Sequence, residues 1–220
     1  AYSNTYAPLD VLKEKYQEAL SHPAVTGLVV STRPDCIPDT VLQYLSELSM
    51  QCYVKLELGL ESTLDSTLSR INRGHEFRHS SDALIRAASH GISTGVHLIL
   101  GLPGETREDM LGHANILNKL PFDSIKLHQL QIVRGTAMGD AYQANPGEFT
   151  LFSLDEYIEL VIGFAERLRP DVAIERFSGE VPPGINLGMS WGGLRTDQVI
   201  KKIEQSMEAR DTWQGRLYNP

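Results

Sequence analysis

The chain has 220 residues and a mass of 24.5 kDa, which is enough for one well-packed core or at most two small ones. Its 41% hydrophobic and 22% charged residues are typical of a globular protein, and no run approaches the roughly 18 apolar residues of a membrane span. The net charge of −8 argues against nucleic acid as the main partner, because phosphate binding favours a basic surface. No signal-peptide pattern is present, so we predict a cytoplasmic protein with no membrane partner.

Apolar runs rich in β-branched residues alternate with segments of helical periodicity along the whole chain. The predicted strands cover residues 27–32, 53–60, 95–100, 124–133 and 172–177. The predicted helices cover residues 8–20, 38–50, 64–71, 80–90, 105–120, 153–168 and 196–210. Long loops are predicted over residues 135–150 and 178–193. Strands that alternate with helices in this way predict right-handed crossovers and a parallel sheet.

Each predicted strand is apolar on one face only, whereas the strands of a doubly wound sheet are apolar on both. The polar positions on the strand faces are Lys55, Glu57, Gly59, Glu61, His97, Lys126 and His128. Charged side chains are rarely buried without a partner, so we predict a barrel-like sheet whose polar lumen holds a polar ligand. Alternatively, Lys55, Glu57 and Lys126 pair with one another inside the barrel.

The segment GLPGET, residues 101–106, connects a predicted strand to a predicted helix. Gly101 and Gly104 permit a close approach of the backbone, and Thr106 with Asp109 forms a capping-box pattern. Backbone amides at the carboxyl ends of parallel strands commonly bind ligands. A turn of this kind needs glycine in any case, so a purely structural role is the alternative.

Two arginines lie beside predicted turns. Arg33 follows the strand 27–32 and can hold a carboxylate with its guanidinium fork, or it can form a local ion pair with Asp35. Arg73 and Gly74 are typical of a helix C-terminus, where glycine takes the left-handed conformation and arginine interacts with the helix dipole. His75 is four positions from His79, but a helix break at this point does not favour a zinc site.

Four segments in this order and spacing resemble the radical S-adenosylmethionine (SAM) proteins: RPDCIPDTVLQYL, ELGLESTLDSTLSRINRGH, GVHLILGLPGETREDM and IKLHQLQIVRGT. The resemblance is greatest to a bacterial branch with an elongator-type radical SAM domain, and it includes RDTWQG near the C-terminus. It implies a partial (βα)6 barrel of the TIM type with cofactors at the carboxyl ends of the strands. It also implies a 4Fe–4S cluster that reduces SAM to a 5′-deoxyadenosyl radical.

By motif position, the resemblance implies a set of cofactor-binding residues. Ser31 and Arg33 correspond to the strand end that faces the methionine or ribose part of SAM. The Glu61 position contacts the ribose or methionyl end, and Arg73 corresponds to an arginine that binds the SAM carboxylate. The full set is Ser31, Arg33, Glu61, Ser62, Arg73, His97 and Gly101, with His97 beside the adenine or ribose and Gly101 starting the adenine-side loop.

The CxxxCxxC loop that binds the family's cluster is absent from this sequence. Cys36 and Cys52 have the wrong spacing to replace it, and we predict that both are free thiols. The resemblance therefore implies a fragment, truncated at its N-terminus and inactive, with the 4Fe–4S cluster only in the full-length parent. We predict a barrel core over residues 1–134, with an extension over 135–220 packed on it. The open edge of such a sheet would favour pairing between chains, so any dimer would reflect the truncation.

Three functions remain open from the sequence. The first is a radical SAM oxidoreductase as the full-length parent, whose elongator-type resemblance suggests RNA or another macromolecule as substrate, although the acidic charge gives RNA no support. The second is a barrel lyase that uses Lys55 or Lys126 as a Schiff-base amine. The third is a binding module that keeps the barrel without catalysis.

Overall fold

A computed structural model describes residues 4–182 and 184–220. The helices and strands, numbered in chain order, are α1 Leu9–Leu20, β1 Gly27–Thr32, α2 Asp39–Ser49, β2 Tyr53–Glu61, α3 Asp65–Arg70, α4 Phe77–Ser89, β3 Ser93–Leu100, α5 Arg107–Leu117, β4 Ser124–Gln129, α6 Ala137–Ala144, α7 Leu154–Arg167, β5 Ala173–Arg176 and α8 Thr196–Ala209. In the described part of the chain, no helix combines the length and the apolar character needed to cross a bilayer.

The strands form one sheet in the order β1-β2-β3-β4-β5, and every neighbouring pair is parallel. This confirms the predicted parallel sheet. The register places Ser31 opposite Glu57, and His97 lies opposite both Gly59 and Lys126. The polar strand residues therefore share one face of the sheet and lie at similar heights along it.

The other face of the sheet is apolar and is covered by helices. In β2, every second residue from Val54 to Leu60 is at most 4% exposed, and Leu42 and Leu45 of α2 are fully buried against this core. Fully burying one such side chain contributes about 1.5–3 kcal/mol. The period of two in the strands and the helical spacing in α2 thus fix which face carries polar side chains.

The helix after the GLPGET segment begins at a capping box. The amide of Asp109 donates to Thr106 Oγ1 at 3.1 Å, and the amide of Thr106 donates to Asp109 Oδ2 at 2.9 Å. This confirms the predicted cap. Because the cap fixes where α5 starts, it also fixes the direction in which residues 101–106 leave the sheet.

Several element boundaries differ from those predicted, most of them by one or two residues. The loop predicted over 135–150 contains α6, which the sequence pattern does not reveal because glycine at position 139 disfavours a helix. The helix forms nevertheless, because the hydroxyl of Thr136 accepts a hydrogen bond from the Gly139 amide and caps its first turn. Strand β4 ends at Gln129 rather than 133, and Val133 forms only an isolated bridge with Asn186. Helix α4 begins at Phe77 rather than 80. The predicted loop 178–193 includes position 183, which lies outside the described residues.

Candidate functional site

Ion pairs fill the polar side of the sheet. Lys126 pairs with Glu57 and lies 3.5 Å from Glu175, and Lys55 pairs with Glu175 and donates to Ser124 Oγ at 2.7 Å. Lys55 and Glu57 are each only 6% exposed. The sequence alternative that the three residues pair with one another is thus correct for Lys126 and Glu57, whereas the partner of Lys55 is a glutamate that the sequence did not indicate.

The two carboxylates of these pairs remain ionised. Burial tends to raise the pKa of Glu57, but Lys126, His97 and Ser31 outweigh it and lower the pKa below its ordinary value. The pKa of Glu175 falls to about 2, because hydrogen bonds from Lys55 and Ser124 outweigh its burial. Both lysines are therefore held in ion pairs by these carboxylates, which does not favour either of them as a Schiff-base amine.

Glu57 connects two of the predicted site residues. Ser31 Oγ donates to Glu57 Oε2 at 3.2 Å, and His97 Nε2 lies 3.2 Å from the same oxygen. The ring of His128 lies 5.7 Å from that of His97, measured between centroids. Burial is the main cause that lowers the pKa of both histidines, to about 4 for His128, so both rings are neutral at pH 7.

Glu61 and Arg73 form a second charged group, at the carboxyl end of β2. Their charged atoms lie 3.2 Å apart, and Arg73 also donates to the carbonyl of Gly59. Arg73 thus reaches back to the strand rather than to the end of its helix, which corrects its predicted role at the helix dipole. Its Nε is buried without a partner among the described residues. Burial raises the pKa of Glu61, and Arg73 only partly opposes that effect.

Backbone geometry is unusual at this point. Glu61 has a φ of +68°, in the left-handed region that residues other than glycine rarely adopt, and the pairing of β2 with β3 shifts register between Gly59 and Glu61. A Cβ on Gly59 would lie 2.5 Å from Glu61 Oε1 and 2.7 Å from Arg73 Nη2. The glycine is therefore required for the pair to lie across the strand.

Arg33 forms the local ion pair that the sequence allowed as an alternative. Its Nε and Nη2 donate to the two carboxylate oxygens of Asp35 at 3.0 and 2.7 Å. The guanidinium lies against Gly74, where a Cβ would approach to 3.1 Å, and Gly74 has the predicted left-handed conformation with a φ of +83°. Arg33 thus lies beside the residue that follows Arg73, and its fork is already occupied by a carboxylate.

Ser62 and Gly101 contact other parts of the chain than the ion pairs on the polar side of the sheet. Ser62 is fully buried and donates to Glu105 Oε1 at 2.5 Å. Gly101 has a φ of +92° and packs under Phe152, to which a Cβ would approach within 3.0 Å. Ser31, Glu61, Arg73 and His97 share the polar side of the sheet, whereas the contacts of these two residues are with Glu105 and Phe152. Their roles as cofactor contacts remain predictions.

Sequence reasoning missed a sealed network next to Ser62. The carboxylate of Glu105 lies 3.2 Å from His113 Nε2, and Thr63 Oγ1 lies 2.7 Å from His113 Nδ1. The side chains of Glu105 and His113 are 0% exposed. One signal was available: His113 occupies a position on the apolar face of α5, where a histidine needs a buried polar partner.

Several cavities lie outside the ion pairs, and two of them border the elements that carry predicted site residues. One of about 480 Å³ is formed by the end of β4 and residues 178–182 and 184–196, and it adjoins His128 through Gly179, whose Cβ position is 2.7 Å from His128 Nδ1. A larger one of about 710 Å³ lies between residues 5–8, residues 34–38 and α4, and it contains none of the polar lumen residues. The smaller cavity is therefore the one next to the candidate site.

Two protein families match the sequence of this chain. Residues 2–117 match the radical SAM superfamily, and residues 122–209 match the radical SAM C-terminal domain. The chain belongs to the radical SAM superfamily. The two matches meet between α5 and β4, although β4 and β5 continue the same sheet as β1 to β3. The predicted division between residues 134 and 135 remains a prediction.

Individual relatives agree with this family and with the predicted elongator-type resemblance. The chain is 35% identical over 218 residues to the uncharacterized protein YtqA of Bacillus subtilis, covering 99% of the chain and 67% of that protein. It is 26% identical to Elongator complex protein 3 of Dictyostelium discoideum, covering 90% of the chain and 35% of that protein. The chain thus spans about two thirds of YtqA and about a third of the elongator protein.

A solved structure gives the same fold. The archaeal Methanocaldococcus infernus Elp3 superposes with a TM-score of 0.76 at 19% identity, covering 92% of this chain and 46% of that one. Together with the five-stranded parallel sheet, this confirms the predicted TIM-like partial barrel of the radical SAM type. Membership of this superfamily implies SAM and a 4Fe–4S cluster as cofactors.

The thiols of this chain do not fit the cluster. Cys36 follows the carboxyl end of β1, whereas Cys52 precedes the amino end of β2, and the two strands are parallel. The two cysteines therefore lie at opposite ends of the sheet, about 20 Å apart at 3.3 Å per strand residue. In the part of the chain that the structure describes, no group of three or more His, Cys, Asp or Glu side chains could hold a metal ion.

The polar residues do fit SAM. Its amino-acid end carries an ammonium and a carboxylate, and Glu61 and Arg73 offer the two opposite charges at 3.2 Å from each other. Gly59 leaves the space in which the Glu61–Arg73 pair itself lies, and the unpartnered Nε of Arg73 is a donor in need of an acceptor.

Proposed function

We propose that this chain is the SAM-binding barrel of a radical SAM oxidoreductase, and that Glu61 and Arg73 hold the amino-acid end of SAM. The observation that carries the proposal is the Glu61–Arg73 pair, which lies across Gly59 at the carboxyl end of β2. Parallel barrels bind their ligands at this edge. Glu61 would accept from the ammonium, and Arg73 would donate to the carboxylate as a planar fork.

The neighbouring residues orient the rest of the ligand. His97 and Ser31 both bond to Glu57, so their positions are fixed relative to one another before any ligand binds. When bound beside a reduced cluster, SAM supplies the family's 5′-deoxyadenosyl radical. The part of this chain is to bind and orient SAM and to exclude water from it.

The 220 residues by themselves are proposed to bind SAM without cleaving it, because their two cysteines do not form a cluster site. Reconstitution of the purified chain with iron and sulfide, followed by dithionite and SAM, should yield no 5′-deoxyadenosine. Formation of 5′-deoxyadenosine in stoichiometric or greater amount would overturn this part of the proposal.

Calorimetry with SAM tests the binding site. Arg73→Lys keeps the charge but removes the fork, and we expect affinity about tenfold weaker from the loss of one charge-assisted hydrogen bond. The matched control is Arg70→Lys at the C-terminal end of α3, three residues before Arg73, where the arginine pairs with Glu148 at the surface. Equal affinity of both variants would exclude Arg73 as the carboxylate ligand.

The pH dependence of SAM binding tests the proposed role of Glu61. Burial raises the pKa of Glu61, and an ammonium bound beside it is stabilised only by the ionised carboxylate, whose proton is released to solvent. SAM affinity should therefore increase with pH through that pKa, and Glu61→Gln should remove the increase. Glu47→Gln, an exposed glutamate of α2, is the control. The same pH dependence in Glu61→Gln would place the ammonium elsewhere.

The substrate is proposed to enter next to His128, from the cavity of about 480 Å³ between β4 and residues 178–182 and 184–196. RNA or another macromolecule remains a prediction from the elongator-type resemblance, and the net charge of −8 does not favour RNA.

A further inference from the structure

We propose that Glu105 is a positioning residue that locks the loop after β2 to the loop after β3, and thereby holds Glu61 in its ligand-binding position. The loop after β2 comprises residues 61–64, and the loop after β3 comprises residues 101–106. The lock rests on the hydrogen bonds of Glu105, and its consequence for SAM rests on the proposed function.

Glu105 joins three elements through one carboxylate. Ser62 Oγ, from the loop after β2, donates to Oε1 at 2.5 Å, and His113 Nε2, from α5, lies 3.2 Å from Oε2. The side chains of Glu105 and His113 are 0% exposed. Hydrogen bonds to a carboxylate in a buried environment are stronger than those between neutral groups in water, so this contact is a rigid one.

A second contact connects the same elements. Thr63 Oγ1 lies 2.7 Å from His113 Nδ1, and the amide of Leu64 donates to Ser62 Oγ at 3.1 Å. With its proton on Nε2, the His113 ring donates to Glu105 and accepts from Thr63, so every polar group of the network has a partner. Ser62 and Thr63 are thus anchored to the loop after β3 and to α5, and the Leu64 amide braces Ser62 within its own loop.

Glu61 needs this anchor because its backbone is strained. A φ of +68° is unfavourable for a residue with a Cβ, and such conformations persist only where the surroundings impose them. Arg73 holds the Glu61 side chain at 3.2 Å on one side. The anchored residues 62–64 hold its backbone on the other side, so loss of the anchor allows Glu61 to relax away from Arg73.

The test uses Glu105→Gln in the full chain. Glutamine keeps the shape of glutamate, but its amide presents an N–H to Ser62 or His113, and both of these already donate to Glu105. We expect hydrogen exchange of the amides in residues 61–64 and 101–106 to accelerate together. SAM affinity should fall about tenfold, as for the loss of one strong hydrogen bond. Glu108→Gln is the matched control, because it removes the same charge from an exposed position in the first turn of α5 and should change neither readout.

A second control separates positioning from general stability. Ile203→Ala creates a cavity in the buried face of α8, away from both loops, and should lower Tm without changing SAM affinity. Ser62→Ala removes one bond of the lock and is the milder variant if Glu105→Gln does not fold. It should accelerate exchange in both loops while α5 stays protected.

The experiments test the connection between the two loops separately from the proposed function. Faster exchange in residues 101–106 alone, with residues 61–64 unchanged, would overturn the lock. Coupled exchange with unchanged SAM affinity would overturn the positioning role. Hydrogen exchange requires no ligand, so if the wild-type chain binds no SAM, the proposed function fails and the exchange data still decide the lock.

Discussion

Among the residues that the structure describes, two glutamate–histidine pairs have the same length but different surroundings. Glu57 and His97 lie 3.2 Å apart on the polar side of the sheet, and Glu105 and His113 lie 3.2 Å apart behind the loops. His97 is 26% exposed, whereas His113 is 0% exposed. A ligand can therefore reach the first pair and replace one of its two partners, whereas the second pair is inaccessible to a ligand.

The number of partners separates the two pairs further. Glu57 also bonds to Lys126 and Ser31, so losing one partner leaves the carboxylate with others. Glu105 has Ser62 as its remaining partner if His113 is lost. We therefore expect the open pair, Glu57 and His97, to tolerate the loss of one partner, and the sealed pair, Glu105 and His113, to be rigid. Replacing the histidine of each pair tests this difference.

Replacing His113 should have the largest effect. His113→Leu leaves a buried carboxylate short of a donor and Thr63 without its ring partner, and breaking a buried pair in this way costs about 3 kcal/mol of unfolding free energy. Urea denaturation followed by circular dichroism gives that value. The control is His22→Leu in the exposed loop after α1, which should leave the midpoint unchanged. A cost below about 1 kcal/mol for His113→Leu would mean that the sealed pair is not rigid.

The matching change in the open pair should cost less. His97→Leu leaves Glu57 bonded to Lys126 and Ser31, so we expect a loss of about 1 kcal/mol, the value of one ordinary hydrogen bond. The same urea experiment compares the two variants directly. Equal costs at the two histidines would remove the distinction between the pairs.

The smallest effect is a dependence of stability on pH from Glu175, whose side chain is 33% exposed and therefore partly screened. Its folded pKa of about 2 lies below the ordinary 4.5. Ionised Glu175 therefore stabilises the fold above pH 4.5, and that contribution is lost as the pH falls towards 2. The urea midpoint of wild type should exceed that of Glu175→Gln at pH 6, and the difference should shrink by pH 3. A constant difference would show that the ion pair is not the cause.

The sequence by itself determined most of the elements, α6 excepted, and the faces of the strands. The residues that alternate along β2 specify which side is buried, and the bounds of β1 agree with the prediction because its centre is apolar and β-branched. The left-handed conformation at Gly74 was also predictable, since glycine alone adopts it without strain. Each of these features depends on neighbours along the chain, which a single sequence contains.

The partners of the polar side chains were decided by the tertiary structure. Lys55 and Glu175 are 120 positions apart and meet only because β5 joins the sheet beside β4. A local pattern shows that a charge must be buried, but it does not show which opposite charge will be there. The pairing of Arg73 with Glu61 instead of the helix end has the same cause, because the turn at Gly74 and the register shift in β2 bring the two together. Sequence periodicity fixes the direction of a side chain, and only the packing of distant elements fixes what that side chain meets.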